Sequence, residues 1–137
     1  MGGGIAQVVA ASGRRVSLFD AAPGAVDRGL GTMRKSLSKL AEKGGPDPGE
    51  VLGRVEPVDE LVPADLMVEA VVEDAAVKED VFRRADEVLP PEAVLASNTS
   101  SIPISSLAGA TGRPDRVIGM HFFNPVPVLK LVEIVRG

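Results

Sequence analysis

MGGGIAQVVAASGRRVSLFD (residues 1–20) places three glycines directly before a helical run and follows it with a short strand, RVSLF, that runs into an acid, Asp20. In a βαβ unit that binds a dinucleotide, glycines let the backbone approach a pyrophosphate at the helix N-terminus and let the helix pack on the sheet. An acid at the end of the second strand then hydrogen-bonds the adenosine ribose. Gly2 and Asp20 stand at a spacing of that kind, and Asp20 would repel a 2′-phosphate, which favours NAD over NADP. A flexible glycine start and a surface aspartate are the competing reading, and the strand-ending acid weighs against it. A complete fingerprint also has a strand before the glycines and two further glycines in the turn. Here the quoted residues begin after both, so the expectation is a coding sequence that extends upstream through an apolar strand and a G-x-G.

Outward from this segment the same alternation continues. PGAVDRGLGTMRKSLSKLAEK (23–43) has apolar residues at helical intervals, Val26, Leu30, Met33, Leu37 and Leu40. GGPDPGE (44–50) reads as a loop, LMVEAVV (66–72) as a buried strand, and VKEDVFRRADEVL (77–89) as an amphipathic helix. A short strand AVLASN (93–98), a short helix ISSLAGAT (104–111) and a strand VIGMHF (117–122) follow. Strands alternating with helices of these lengths predict a Rossmann-like α/β fold: a doubly wound, mainly parallel sheet with helices on both faces and its first strand apparently missing. No repeat or linker marks a second domain, so residues 1–137 read as one N-terminally incomplete domain.

Composition narrows the partners. The chain is 45% hydrophobic and 25% charged with a formal net charge of −4, within the ordinary range of globular proteins. Lys and Arg are scattered, which argues against nucleic acid or an anionic membrane and leaves small molecules as the better expectation. The chain has no cysteine, so disulfides and thiolate zinc sites are excluded, and no metal site is expected. With no secretory signal and no apolar run of the roughly 20 residues that a transmembrane helix needs, a cytoplasmic location is the default expectation.

One histidine is present, His121 in HFFNPVP, and Glu133 lies twelve residues further on in LVEIV. Only histidine titrates unperturbed near neutral pH, so proton transfer points to this ring. Pro125 and Pro127 cannot donate ladder hydrogen bonds, so NPVP reads as a turn between the strands VIGMHF and LKLVEIV (129–135). A hairpin centred near Pro127 would make His121 and Glu133 cross-strand neighbours, letting the carboxylate fix the imidazole tautomer and raise its basicity. A solvated glutamate and a hydrogen-bonded structural histidine are the alternative.

GGGIAQVVA (2–10), SLFD (17–20), VVEDAAVKEDVF (71–82), SNTSS (97–101) and HFFNPVPVLKLVEIV (121–135) together resemble the NAD-binding domain of the 3-hydroxyacyl-CoA dehydrogenases, over the whole chain and in order. The resemblance implies oxidation of an L-3-hydroxyacyl-CoA to the 3-ketoacyl-CoA with NAD as cofactor, or the reverse, in fatty acid or butanoate metabolism. It implies His121 as the catalytic base, Glu133 as its partner carboxylate and Ser100 as the active-site serine beside the nicotinamide. Gly2, Asp20, Glu73, Lys78 and Ser100 correspond to cofactor-binding positions, and Ser36 and Lys43 to positions that hold the coenzyme A portion of an acyl-CoA. Each has a plainer use: Ser100 in a turn-forming cluster, Glu73 as a cap or solvated acid, Ser36 and Lys43 on the polar face of an amphipathic helix. The family also has a C-terminal helical domain that forms a homodimer interface, covers the substrate and adds an asparagine, and residues 1–137 contain none of it. Little dehydrogenase activity is therefore expected of these residues alone. A non-catalytic remnant that keeps the fold as a binding or structural protein is the rival reading, and a dehydrogenase of another hydroxy acid is a third.

Overall fold

The structure, a computed structural model, describes residues 1–129 and 131–137. It divides into two compact units, Met1–Glu60 with Asn124–Lys130, and Leu61–Phe123 with Leu131–Gly137.

The first unit contains α1 (Gly2–Ala11), β1 (Val16–Leu18), α2 (Ala25–Glu42), α3 (Pro48–Leu52) and β2 (Val55–Pro57). The α2 periodicity holds: Leu30, Met33 and Leu37 are buried with Ala6, Ala10, Val51 and Val55, and Val26 packs at the margin. Glycine lets α1 come close to its neighbours. A Cβ on Gly3 would lie 3.7 Å from Gly29 Cα, and one on Gly4 would lie 3.1 Å from Val126 Cβ. The helix stops where Gly13 takes a φ of +97°, and Arg54 donates to the Ala10 carbonyl at 2.9 Å, giving the helix C-terminus a cation. β1 and β2 pair in parallel, with Val16 opposite Val55.

The second unit contains β3 (Leu66–Glu69), α4 (Ala75–Val88), β4 (Val94–Ser97), α5 (Ile104–Ala108), a 3-10 turn (Pro114–Arg116), β5 (Val117–Phe122) and β6 (Val132–Arg136). Its sheet has the order β3-β4-β5-β6, the first three strands parallel and β6 antiparallel. Phe82, Ala85, Leu89, Leu95, Leu107 and Val117 form the core. Arg113 ties the end of α4 to this core. Its guanidinium donates to the Asp86 carboxylate at 2.6 Å, to the carbonyls of Asp86, Leu89 and Ala93 at 2.9, 3.1 and 3.4 Å, and to that of Pro90.

The α/β fold is borne out, with five differences of detail. The strands form two ladders rather than one sheet, because among the described residues β1 pairs only with β2 and β3 only with β4. LMVEAVV is a strand only to Glu69, and Leu66 is 40% exposed, as suits an edge strand rather than a buried one. The loop expected over 44–50 contains the start of α3, where Asp47 accepts from Glu50 N at 3.0 Å and Pro48 holds the first helical position. β2 carried no strand expectation; three residues ending in proline are too short to show a period. The strand expected over 129–135 forms at 132–136, and Lys130 lies outside the described residues. Among those residues no helix is long and apolar enough to cross a membrane.

Candidate active site

The β5–β6 ladder places His121 directly opposite Glu133, in an antiparallel register centred on residue 127. Both line an open cleft of about 430 Å³, with Thr99, Ser100 and Ser101 on one wall and Ile104, Gly119, Phe123 and Val135 completing it. Gly119 keeps the floor open: a Cβ there would lie 3.1 Å from Ile104 Cδ1 and 3.2 Å from Val135 Cβ. His121 packs edge-to-face on Phe123, the ring centroids 4.7 Å apart. Among the described residues no hydrogen bond or ion pair joins His121 to Glu133, so the register makes them neighbours without yet bonding them. Residues directly opposite each other on antiparallel strands share one face of the sheet and lie within side-chain reach.

The serine-rich segment after β4 is held from beneath. Asn98 N donates to the Glu69 carbonyl at 2.9 Å, and Asn98 Oδ1 accepts from Phe122 N at 2.8 Å, which locks the segment to β3 and β5 together. Glu73 then gathers the next three residues. One carboxylate oxygen accepts from Thr99 Oγ1 at 2.9 Å; the other accepts from Ser100 N at 3.2 Å, Ser100 Oγ at 3.4 Å and Ser101 Oγ at 3.1 Å. Desolvation acts to raise the Glu73 pKa, but the hydrogen bonds from Thr99, Lys78, Ser100 and Ser101 outweigh it and bring the value down to about 2. The carboxylate is thus an anion, and an acceptor only, at neutral pH.

Lys78 lies behind Glu73, 2% exposed, with its ammonium 2.6 Å from Glu69 Oε2 and 3.2 Å from Glu73 Oε1. Glu69, whose side chain is fully buried, also accepts from Ser97 Oγ at 2.5 Å and from Val71 N at 2.8 Å. Sequence reasoning did not find Glu69, Thr99 or Asn98. Glu69 had a signal, an acid inside an apolar strand, where a charge must find a partner or stay out.

The other candidate residues belong to the first unit. Asp20 follows β1 and lines a cleft of about 510 Å³ with Phe19, Val26, Pro57 and Asp59. Its carboxylate accepts from Ala22 N at 2.9 Å, which fixes it at the strand's carboxyl end while it remains exposed. An exposed, backbone-fixed acid beside a cleft of this size fits the hydroxyls of a ribose. Gly2 is the first residue of α1, and nothing but hydrogen occupies its side-chain position. Ser36 is half-buried and its hydroxyl accepts from Gln7 Nε2 at 3.0 Å; Lys43 is exposed just after α2. His121, Glu133 and Ser100 therefore share one cleft, Glu73 bonds to Ser100, and Lys78 bonds to Glu73.

Acids at the carboxyl ends of parallel strands, with a glycine-led helix and a serine-rich loop after a strand, are the features of an α/β nucleotide-binding domain. Residues 1–137 match the family of the 3-hydroxyacyl-CoA dehydrogenase NAD binding domain, and the chain belongs to that family. It is 51% identical over 142 residues to a probable 3-hydroxybutyryl-CoA dehydrogenase of Deinococcus radiodurans, an alignment that takes in 100% of this chain and 51% of that protein. It is 40% identical over 143 residues to the fatty acid oxidation complex subunit alpha of Psychrobacter arcticus, covering 100% of this chain and 20% of that one. The crystal structure of (S)-3-hydroxybutyryl-CoA dehydrogenase from Ralstonia eutropha, 40% identical, matches with a TM-score of 0.94 over 100% of this chain and 50% of that chain. The chain thus spans about half the length of these two 3-hydroxybutyryl-CoA dehydrogenases.

Proposed function

We propose that the chain is the NAD-binding, proton-transferring part of an enzyme that oxidises L-3-hydroxyacyl-CoA to 3-ketoacyl-CoA, or runs the reverse reduction. The observation that carries this reading is the pairing of His121 with Glu133 in a cleft that also contains Ser100. His121 takes the proton of the 3-hydroxyl at a ring nitrogen, and in reduction the imidazolium returns it to the ketone oxygen. Glu133, opposite on β6, stabilises the imidazolium. Ser100 lies on the wall of the same cleft, within reach of a substrate oxygen or of the cofactor. NAD, when bound, supplies the acceptor for the hydrogen at C3. Asp20 accepts hydrogen bonds from the adenosine ribose and Gly2 leaves room for the pyrophosphate, while Ser36 and Lys43 contact the coenzyme A portion. The test is NADH oxidation with acetoacetyl-CoA by the full-length gene product, compared with its His121→Gln variant. A fall in kcat of about 100-fold or more is expected from loss of the base; unchanged turnover would refute the assignment.

A further inference from the structure

We propose that Lys78 is a positioning residue, acting through Glu73 on Ser100, and that the buried carboxylate of Glu69 is the anchor that holds Lys78 in place. The proposal rests on Ser100 being part of the active site. An ammonium has three N–H groups. Lys78 has three protein acceptors for them: Glu69 Oε2 at 2.6 Å, Glu73 Oε1 at 3.2 Å and the Val71 carbonyl at 3.3 Å. With the residue 2% exposed, direct contact with a cofactor would require giving up one of these bonds. The charge pattern gives the bonds a direction. Glu69 is the fully buried partner that makes a buried ammonium tolerable, and Lys78 carries that charge outward to Glu73, whose side chain is 40% exposed.

From Glu73 the constraint passes to the cleft wall. Both the amide and the hydroxyl of Ser100 donate to Glu73 Oε2, so the backbone and the side chain of that serine are aimed by one carboxylate. A second strand of the network closes the loop. Ser97 Oγ donates to Glu69 Oε1 at 2.5 Å and accepts from Thr99 N at 3.1 Å, while Thr99 Oγ1 donates to Glu73 and accepts from Ile102 N at 3.1 Å. Residues 97–102 are thereby bound at both ends to one acid-lysine-acid chain. Among the described residues, Glu69 and Glu73 are the charged groups within ion-pair distance of Lys78; Ser97 faces Glu69 from β4, and Thr99 faces Glu73 from the loop.

The test follows the Glu73 carboxyl carbon by NMR through an acid titration of the labelled 137-residue chain, together with hydrogen exchange at the Ser100 and Ile102 amides. The variants are Lys78→Met and the double variant Glu69→Gln, Lys78→Met. The double variant removes both buried charges at once and so leaves no unpaired carboxylate to unfold the protein. In each, Glu73 should titrate above the value of about 2 that Thr99, Lys78, Ser100 and Ser101 together impose, because one of those four partners is gone. The Ser100 and Ile102 amides should exchange roughly tenfold faster, while amides in the α4 core keep their rates. A Glu73 titration and loop exchange that match the parent chain in the double variant would overturn the proposal. So would a variant whose affinity for NADH falls while both loop readouts stay in place, since that is the pattern of a direct cofactor contact. Neither readout depends on turnover, so failure of the dehydrogenase reading, seen with His121→Gln, is distinguishable from failure of this one.

Discussion

Replacing Glu73 by glutamine tests how firmly the cleft wall is held, and pH gives the test its sign. The folded-state pKa of about 2 lies below the ordinary value of 4.5, so the carboxylate stabilises the fold fully above about pH 4.5 and loses that contribution as pH falls toward 2. For a fully shielded group the gap corresponds, at about 1.4 kcal/mol per pH unit, to roughly 3.4 kcal/mol. The Glu73 side chain is 40% exposed, so solvent screening reduces this to about 1–1.5 kcal/mol. Glutamine keeps one acceptor oxygen but turns an NH₂ toward the hydroxyls of the loop, so most of the contribution should disappear. Urea unfolding of parent and Glu73→Gln chains at pH 7, 4 and 2.5 is the assay. The stability difference should be largest at pH 7, smaller at pH 4 and reduced to roughly a quarter of its full value at pH 2.5, just above the folded-state pKa of about 2. A difference as large at pH 2.5 as at pH 7 would refute the account, because it would mean that the carboxylate's charge is not what the loop hydrogen bonds recognise.

Further outcomes follow from other residues. Arg113→Met removes a guanidinium only 11% exposed that serves Asp86 and four carbonyls; urea unfolding should show a loss of about 3–4 kcal/mol, little of it recovered by Arg113→Lys, which lacks the planar fork. The same change should raise the pKa of Asp86, now held low chiefly by the Gly112 amide and then by Arg113, readable by carboxyl NMR. Gly119→Val inserts a side chain where Ile104 and Val135 already stand 3.1–3.2 Å from a Cβ, and should cost about 2 kcal/mol in thermal or urea unfolding. Asp20→Ala removes the acid expected to repel a 2′-phosphate, so the ratio of NADPH to NADH affinity should rise by about tenfold, as read by fluorescence titration.

Sequence and structure agree best where local chemistry has few alternatives. Pro125 and Pro127 interrupt a ladder, and a hairpin centred near Pro127 between two strand-like runs sets His121 opposite Glu133, so their register is legible in the sequence and is the one observed. The same holds for α2, whose buried Leu30, Met33 and Leu37 repeat at helical intervals. The support of the serine loop was not legible. Lys78 reads as one more lysine of an amphipathic helix, and only burial against Glu69, nine residues earlier, reveals its role. By resemblance Lys78 corresponds to a cofactor-binding position, and its contacts with Glu69 and Glu73 are a further feature that the helix pattern does not report. Asp47-Pro48-Gly49-Glu50 did carry a helix-start signal, a capping aspartate with proline at the first turn, but α3 is too short for periodicity to second it. The exposure of β3 depends on which strands pair beside it, and no window of sequence reports that.

The hairpin that carries His121 and Glu133 also limits how its turn can change length. Its two arms meet with Phe122 opposite Val132 and His121 opposite Glu133. Side chains alternate from face to face along a strand, so an insertion or deletion of a single residue in the turn would send Glu133 to the far side of the sheet and bring Val132 or Ile134 up to the imidazole. A change of two residues would keep the face but move the acid one step along the ladder. Evolution or an engineer could thus separate the pair while leaving both residues untouched, and the turn's length carries as much of the site's identity as the side chains it aligns.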